Sequence, residues 1–200
     1  MRVKTDSKRS EVLEAAADVF LEQGYERTQM AHVSNRAHCS KGTLYSYFAS
    51  KEELFCEAVL AATTREAGNV FVQEHVRDED PEVMLLKFGV GYLQTVYSPR
   101  FQSLRRLVFS ATFDSAIGRT VYERAVKPYE ERAAKLLDSA MNSGRLRDED
   151  AGIAANHLCG LLESELLLKF LLQALDEPSP ARLRGAAKRA VAVFLAAYQK

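Results

Sequence analysis

Apolar residues recur along this chain at helical spacing, and strand alternation persists nowhere for a useful length. Over residues 7 to 23, Val12, Ala16 and Phe20 form one row and Leu13, Ala17 and Leu21 the next. That is the pattern of a helix with one buried face. Gly24 stands where a helix ends on a glycine. Thr28 is placed to cap a second short helix whose Met30, Val33 and Ala37 face inward, and Ser40 to cap a third. Ser50, with Glu53 three residues on, makes a capping box for a fourth. Asp80-Pro81, a cap followed by proline at the first helical position, opens a fifth. Pro99 separates it from a sixth, over about 101 to 113. A seventh runs from about 116 to 142, with Pro128 as a kink or break inside it, and Gly144 closes it. An eighth covers about 149 to 175, and Ser179-Pro180 opens a ninth. The predicted fold is all-α, with about nine helices, no internal repeat and no low-complexity segment.

One stretch, CSKGTLYSYFASKEEL at residues 39 to 54, has an unusual mixture. Advancing about 100° per residue from Ser40, Leu44 and Phe48 fall together and define a buried side. Gly42, Thr43 and Ser46 fall opposite, and Tyr45 and Tyr47 lie on the two flanks. Small residues at the centre let a helix approach a surface closely, and flanking phenols donate hydrogen bonds outward. That suits a helix in a DNA major groove, with Lys41 and Lys51 adding phosphate contacts. With the preceding helix and the turn AHCS, the arrangement reads as a helix-turn-helix. The residues alone leave a second reading open, a helical hairpin whose tyrosines are amphipathic surface.

Composition sharpens this only locally. Lys plus Arg balances Asp plus Glu, 27 against 27, so net charge gives nucleic-acid binding no support. Apolar residues make up 47% of 200 residues, enough for a sizeable core. Three widely spaced cysteines, Cys39, Cys56 and Cys159, read as reduced thiols of a cytoplasmic protein. No signal peptide is visible, and the longest apolar run, LLLKFLLQAL at 166 to 175, is too short to span a membrane. No Gly-rich phosphate loop, HExxH or CxxC occurs, so an enzyme is not expected, nor a cofactor. His32, His38 and Cys39 are close in sequence but lack ligand spacing, so no metal site is expected either.

The last two helices are apolar around more than one stripe. Leu161, Leu168 and Leu172 on the eighth, with Val191, Phe194 and Tyr198 on the ninth, are the candidates for a homodimer interface. The alternative is a pair of helices wholly buried within a monomer. Phe88, Tyr92, Phe109, Phe113, Tyr122 and Glu163 are candidates to line a ligand pocket, though each aromatic also fits plain core. A buried Glu163 would need a partner.

The stretch VLEAAADVFLEQGYERTQMAHVSNRAHCSKGTLYSYFASKEELFCEAVL resembles the amino-terminal domain of the TetR family of bacterial transcriptional regulators, over residues 10 to 60. RRLVFSATFD and GRLRDEDAGIAANHLCGLL are more loosely similar to the AcrR/AefR-type ligand-binding domains of that family. Two positions depart from the family pattern. His38 stands where glycine is common and is expected to be left-handed, and Val33-Ser34 replaces the usual Ile-Ala pair. The resemblance implies a DNA-binding domain over 1–62 and a ligand-binding and dimerisation domain over 63–200. It implies a repressor that binds an inverted-repeat operator in double-stranded DNA as a homodimer and is released by a small, lipophilic molecule. Carried over by position, DNA contacts fall on Thr28, Ser40, Lys41, Gly42, Thr43, Tyr45, Tyr47 and Lys51. The basic tail with Arg2, Lys4, Lys8 and Arg9 either adds contacts or is plain solvated surface. The alternative function is a helical protein-interaction module, or a ligand-independent regulator that keeps the helix-turn-helix.

Overall fold

A computed structural model of the chain describes residues 6–67, 80–111 and 115–200. In chain order the helices are α1 (Asp6–Gln23), α2 (Met30–Arg36), α3 (Lys41–Tyr47), α4 (Lys51–Ala67), α5 (Pro81–Val96), α6 (Pro99–Ala111), α7 (Ser115–Val121), α8 (Lys127–Asn142), α9 (Ala151–Glu163), α10 (Leu167–Leu171) and α11 (Pro180–Tyr198). Among the described residues there is no strand, only an isolated bridge between Leu146 and Gln199.

The expected helix starts are largely where capping chemistry put them. Asp80 accepts from the Glu82 N–H at 2.8 Å, and Ser179 from the Arg182 N–H at 3.3 Å. Ser50 accepts from the Glu53 N–H, while the Glu53 carboxylate reaches back one residue further, to the Ala49 N–H. Thr28 is a correction. Gln29 holds the cap position of α2, and its N–H donates to His32 Nδ1 at 3.4 Å. The Thr28 hydroxyl instead donates to Gly24 O at 2.7 Å, because the loop turns the side chain inward.

Two long expected helices are interrupted. Residues 122–126 form a π-helical turn between α7 and α8. Pro128 lacks an N–H and its ring crowds the carbonyl four residues back, that of Arg124, so a wider turn there relieves the clash. The expected helix over 149–175 breaks after Glu163, resumes for five residues as α10, and stops at Gln173, whose φ is +56°. The N–H groups of Gln173 and Ala174 then close back onto Phe170 O and Lys169 O, a reciprocal C-terminal cap.

The chain divides into two compact units. The first contains residues 1–66 and 100–125, and the second residues 67–99 and 126–200. The sequence expectation of 1–62 and 63–200 follows chain order and so leaves out that α6 and α7 group with the first helices. In the first unit one core takes Val12, Phe20, Leu44, Phe48, Leu54 and Phe55 together with Leu104, Leu107 and Ile117. Leu54, Phe55 and Ala58 of α4 are buried in this core, with the Phe55 ring edge-on to Phe20 at 5.0 Å. In the second unit α5 packs on α9 and α11, α9 packs on α11, and α8 packs on α9. The α5 contact is close because Gly89 has no side chain. A Cβ there would lie 2.7 Å from Leu162 Cδ2.

Candidate nucleic-acid interface

A seven-residue helix does not hold in water on its own. α3 holds because three features fix it. Leu44 and Phe48 are buried, contributing roughly 1.5–3 kcal/mol each. Ser40 Oγ accepts from the Thr43 N–H at 3.0 Å, and the two hydroxyls share a hydrogen bond at 2.9 Å. The turn before α3 is clamped by a reciprocal cap on α2. The Cys39 N–H donates to Ser34 O and the His38 N–H to Asn35 O, with His38 at φ +48°. The left-handed residue expected at this turn is therefore present, at a position where histidine is tolerated better than most. Lys8 closes the same helix end, donating to Ala37 O at 3.0 Å.

With α3 fixed this way, Lys41, Gly42, Tyr45 and Ser46 are exposed, Thr43 and Tyr47 half-buried. Leu44, Phe48, Gly42 and Ser46 follow the helical spacing, whereas Thr43, expected on the most exposed side, is half-buried with its hydroxyl bonded to Ser40. Tyr47 leans on the core beside Phe48, with ring centroids 6.3 Å apart. Ser46 donates back to Thr43 O.

Two of the expected contact residues are occupied elsewhere. Thr28 is 2% exposed, with both its hydroxyl and its N–H bonded inside the loop. It braces the loop between α1 and α2 and presents no side chain. The Lys51 ammonium donates to Tyr25 O at 3.0 Å and sits 4.2 Å over the Tyr25 ring. It ties the start of α4 to the end of α1. The tail divides similarly. Arg2 and Lys4 lie outside the described residues, while Lys8 and Arg9 are engaged, Arg9 with Glu57 at 2.6 Å.

Of the pocket candidates, Phe88, Tyr92 and Glu163 come together in the second unit. Glu163 is only 7% exposed and accepts from the hydroxyls of Tyr92 at 2.8 Å and Tyr97 at 3.1 Å. Tyr97 and Phe170, which meet edge-on, complete the cluster, as does Cys159. Burial, with the Glu130 and Glu163 charges, pushes the Cys159 thiol up to about 12. Tyr97 is absent from the sequence-derived set, since nothing in spacing links it to Glu163, 66 residues away. Phe109 and Tyr122 belong to the other unit and are about half exposed. Phe113 lies outside the described residues.

The interface candidates separate as well. Val191 and Phe194 are core of their own chain, because α11 turns that side to α5 and α9. Leu168 and Leu172 stand 66% and 68% exposed, and Leu161 is intermediate. Tyr198 stacks on Phe194 and its hydroxyl shares a 2.6 Å hydrogen bond with His157 Nδ1.

The comparisons with known proteins bear on these two units. The family described as bacterial regulatory proteins, tetR family, matches residues 12–58, and the C-terminal domain of AefR-like transcriptional repressors matches residues 83–200. The chain belongs to the TetR family. It is a helix-turn-helix transcriptional regulator and not an enzyme. A TetR-family regulator from Mesorhizobium loti is similar in structure, 25% identical with a TM-score of 0.86 over 100% of both chains. The flavonoid-responsive regulator FrrA is 27% identical, with a TM-score of 0.79 over 98% of each chain. The transcriptional activator FasR of Mycolicibacterium smegmatis is 38% identical over 69 residues, which is 34% of this regulator but only 30% of FasR. Among the described residues, no helix of the TetR-family regulator is long and apolar enough to cross a membrane.

Proposed function

We propose that the regulator is a homodimeric repressor that reads an inverted-repeat operator through α3 and releases it when a small, mainly apolar ligand enters the second unit. The observation that carries the reading is Gly42. Nothing among the described residues requires glycine there. Its φ is not left-handed, and an added Cβ would meet only Ser40 Oγ, at 3.8 Å. Glycine in a helix costs up to about 1 kcal/mol relative to alanine. A bare backbone beside Thr43 and Ser46 is what close approach to base edges demands. Gly42 and Thr43 are the base-facing residues, and Lys41, Tyr45 and Tyr47 hold phosphates on the two walls of the groove. Ser40, Thr28 and Lys51 act from behind, by fixing the helix that reads.

Phe88, Tyr92 and Glu163, with Tyr97, are the ligand contacts in this reading. A buried carboxylate whose partners are phenolic hydroxyls fits a ligand that offers a hydroxyl of its own, and the flavonoid response of FrrA agrees with an aromatic one. A second copy covers Ile153, Leu161, Leu168, Leu172 and Val193, with Tyr198 at its edge. The matched carboxy-terminal family is described as repressors, which favours repression over the activation in FasR's name.

Selection from a random duplex pool tests the reading. The native chain is expected to enrich a palindrome, with affinity falling steeply as salt rises. Enrichment of no duplex at low salt, or of isolated half-sites by a monomer, would reject it.

A further inference from the structure

Glu57 lies on α4, away from α3, yet two other elements converge on it. Its Oε2 accepts from Arg9 Nη2 of α1 at 2.6 Å, and its Oε1 accepts from Arg124 Nη1 of the π-helical turn at 2.5 Å. The Arg9 guanidinium is also 5.2 Å from the centroid of the Phe48 ring. Phe48 is the residue that closes α3 and anchors it in the core. The path therefore runs from the π-helical turn through one carboxylate and one guanidinium to the base of the reading helix.

Magnitudes decide what this path is for. Both arginines are partly exposed, 41% and 53% for their side chains. Pairs of that kind contribute only ~0–1 kcal/mol each to stability, so the network is a poor staple. It is a good ruler. The carboxylate is shielded, with 17% of its side chain exposed, and both oxygens are engaged at once. Burial works to raise its pKa, but the hydrogen bonds from the two guanidiniums outweigh burial and leave it lowered, so both bonds are kept at neutral pH. The far end of the path is the one stretch among the described residues wound as a π-helix, a geometry that concentrates at functional sites. Within this turn, between Ala125 and Val126, the chain passes from the first compact unit into the second.

We infer that Glu57 is a positioning residue. Through Arg124 and Arg9 it sets the seating of α3 according to the geometry of the π-helical turn, and so carries to the reading helix whatever reaches that turn from the second unit. The inference rests on the proposed DNA reading.

The test uses the full-length dimer and the duplex that the native chain selects from a random pool. Arg124→Met should weaken that duplex about tenfold, a coupling of ordinary size, by freeing Glu57 Oε1. Glu57→Gln should weaken it similarly, and the double variant should be no weaker than either single one. Arg124→Lys should restore part of the loss. The slope of log affinity against log salt should stay at the native value, since no phosphate contact is removed. An unchanged or tighter affinity in Arg124→Met would overturn the inference. So would additive losses, or a salt slope shallower by about one contact, which would make Arg124 a phosphate ligand. A lowered melting temperature with native affinity would reduce the network to a fold contact and overturn it too. Failure of the native chain to select any duplex would instead sink the DNA reading, and this inference with it.

Discussion

α3 and α10 are both short, at seven and five residues, and both depend on what lies beneath them, yet their outward faces are opposites. α3 buries Leu44 and closes on buried Phe48, and presents Lys41, Gly42, Tyr45 and Ser46. α10 buries Phe170 alone and presents Leu168 and Leu171, with Leu172 exposed at its C-terminal cap. The first face is polar and low, suited to a hydrated, charged surface whose groups it can meet with hydrogen bonds. The second is apolar and projecting, and is stable in water only if something dry covers it. One molecule thus carries two surfaces of opposite chemistry, and the proposed function gives them different partners: DNA for one, a second copy for the other.

The hardest way to break the comparison is to remove what α3 stands on. Leu44→Ala should cost about 2–5 kcal/mol in urea unfolding, as cavities under buried leucines do. It should abolish duplex binding as well, because α3 has no other deep anchor within its own span. Next in size, Leu168→Glu with Leu172→Glu should leave the melting temperature within a few degrees of native. It should weaken self-association by at least about 100-fold in sedimentation, since a buried unpaired charge in a dry interface costs several kcal/mol. A dimer that survived unchanged would remove α10 from the interface.

Gly42→Ala separates the two faces most cleanly, because its effects should have opposite signs. The free protein should gain up to about 1 kcal/mol of stability. Affinity for the selected duplex should fall by roughly 1–3 kcal/mol, the size of a lost base contact. Equal or tighter binding would mean that no surface approaches Gly42. The smallest effect is one of pH. The Glu57 carboxyl titrates below the ordinary 4.5 of a glutamate. Its contribution is therefore present above that value and lost as pH falls through the lowered one. The gap in melting temperature between native and Glu57→Gln should narrow as pH falls from the ordinary glutamate range through the lowered value, and be constant at higher pH.

The helical wheel made the buried side of α3 legible because Leu44 and Phe48 fall together on it, and the left-handed turn at His38 followed from the resemblance to a family in which glycine is common there. The same method could not apportion α9 to α11. When leucine and alanine surround a helix, spacing does not tell which side meets its own chain, and only packing on α5 and α9 makes Val191 and Phe194 core. Lys51 and Arg9 were misjudged as outward cations for a related reason. A lysine or arginine reaches several ångströms from its backbone, so its partner is set by tertiary neighbours such as Tyr25 O and Glu57 that sequence distance hides. The break after Glu163 was equally invisible, since LESELLLKF has no proline or glycine to announce it.

Gly42 also has a meaning on an evolutionary scale. A fold that tolerates alanine at a site, and would be firmer for it, keeps glycine only while selection on some other property opposes the change. A duplicated copy of this gene released from reading DNA would meet no structural barrier to substitution there, whereas Leu44 two positions on would remain constrained by the core. Position 42 in descendants of this chain would then work as a marker, drifting early in copies that have abandoned their operator and staying bare in those that still use it.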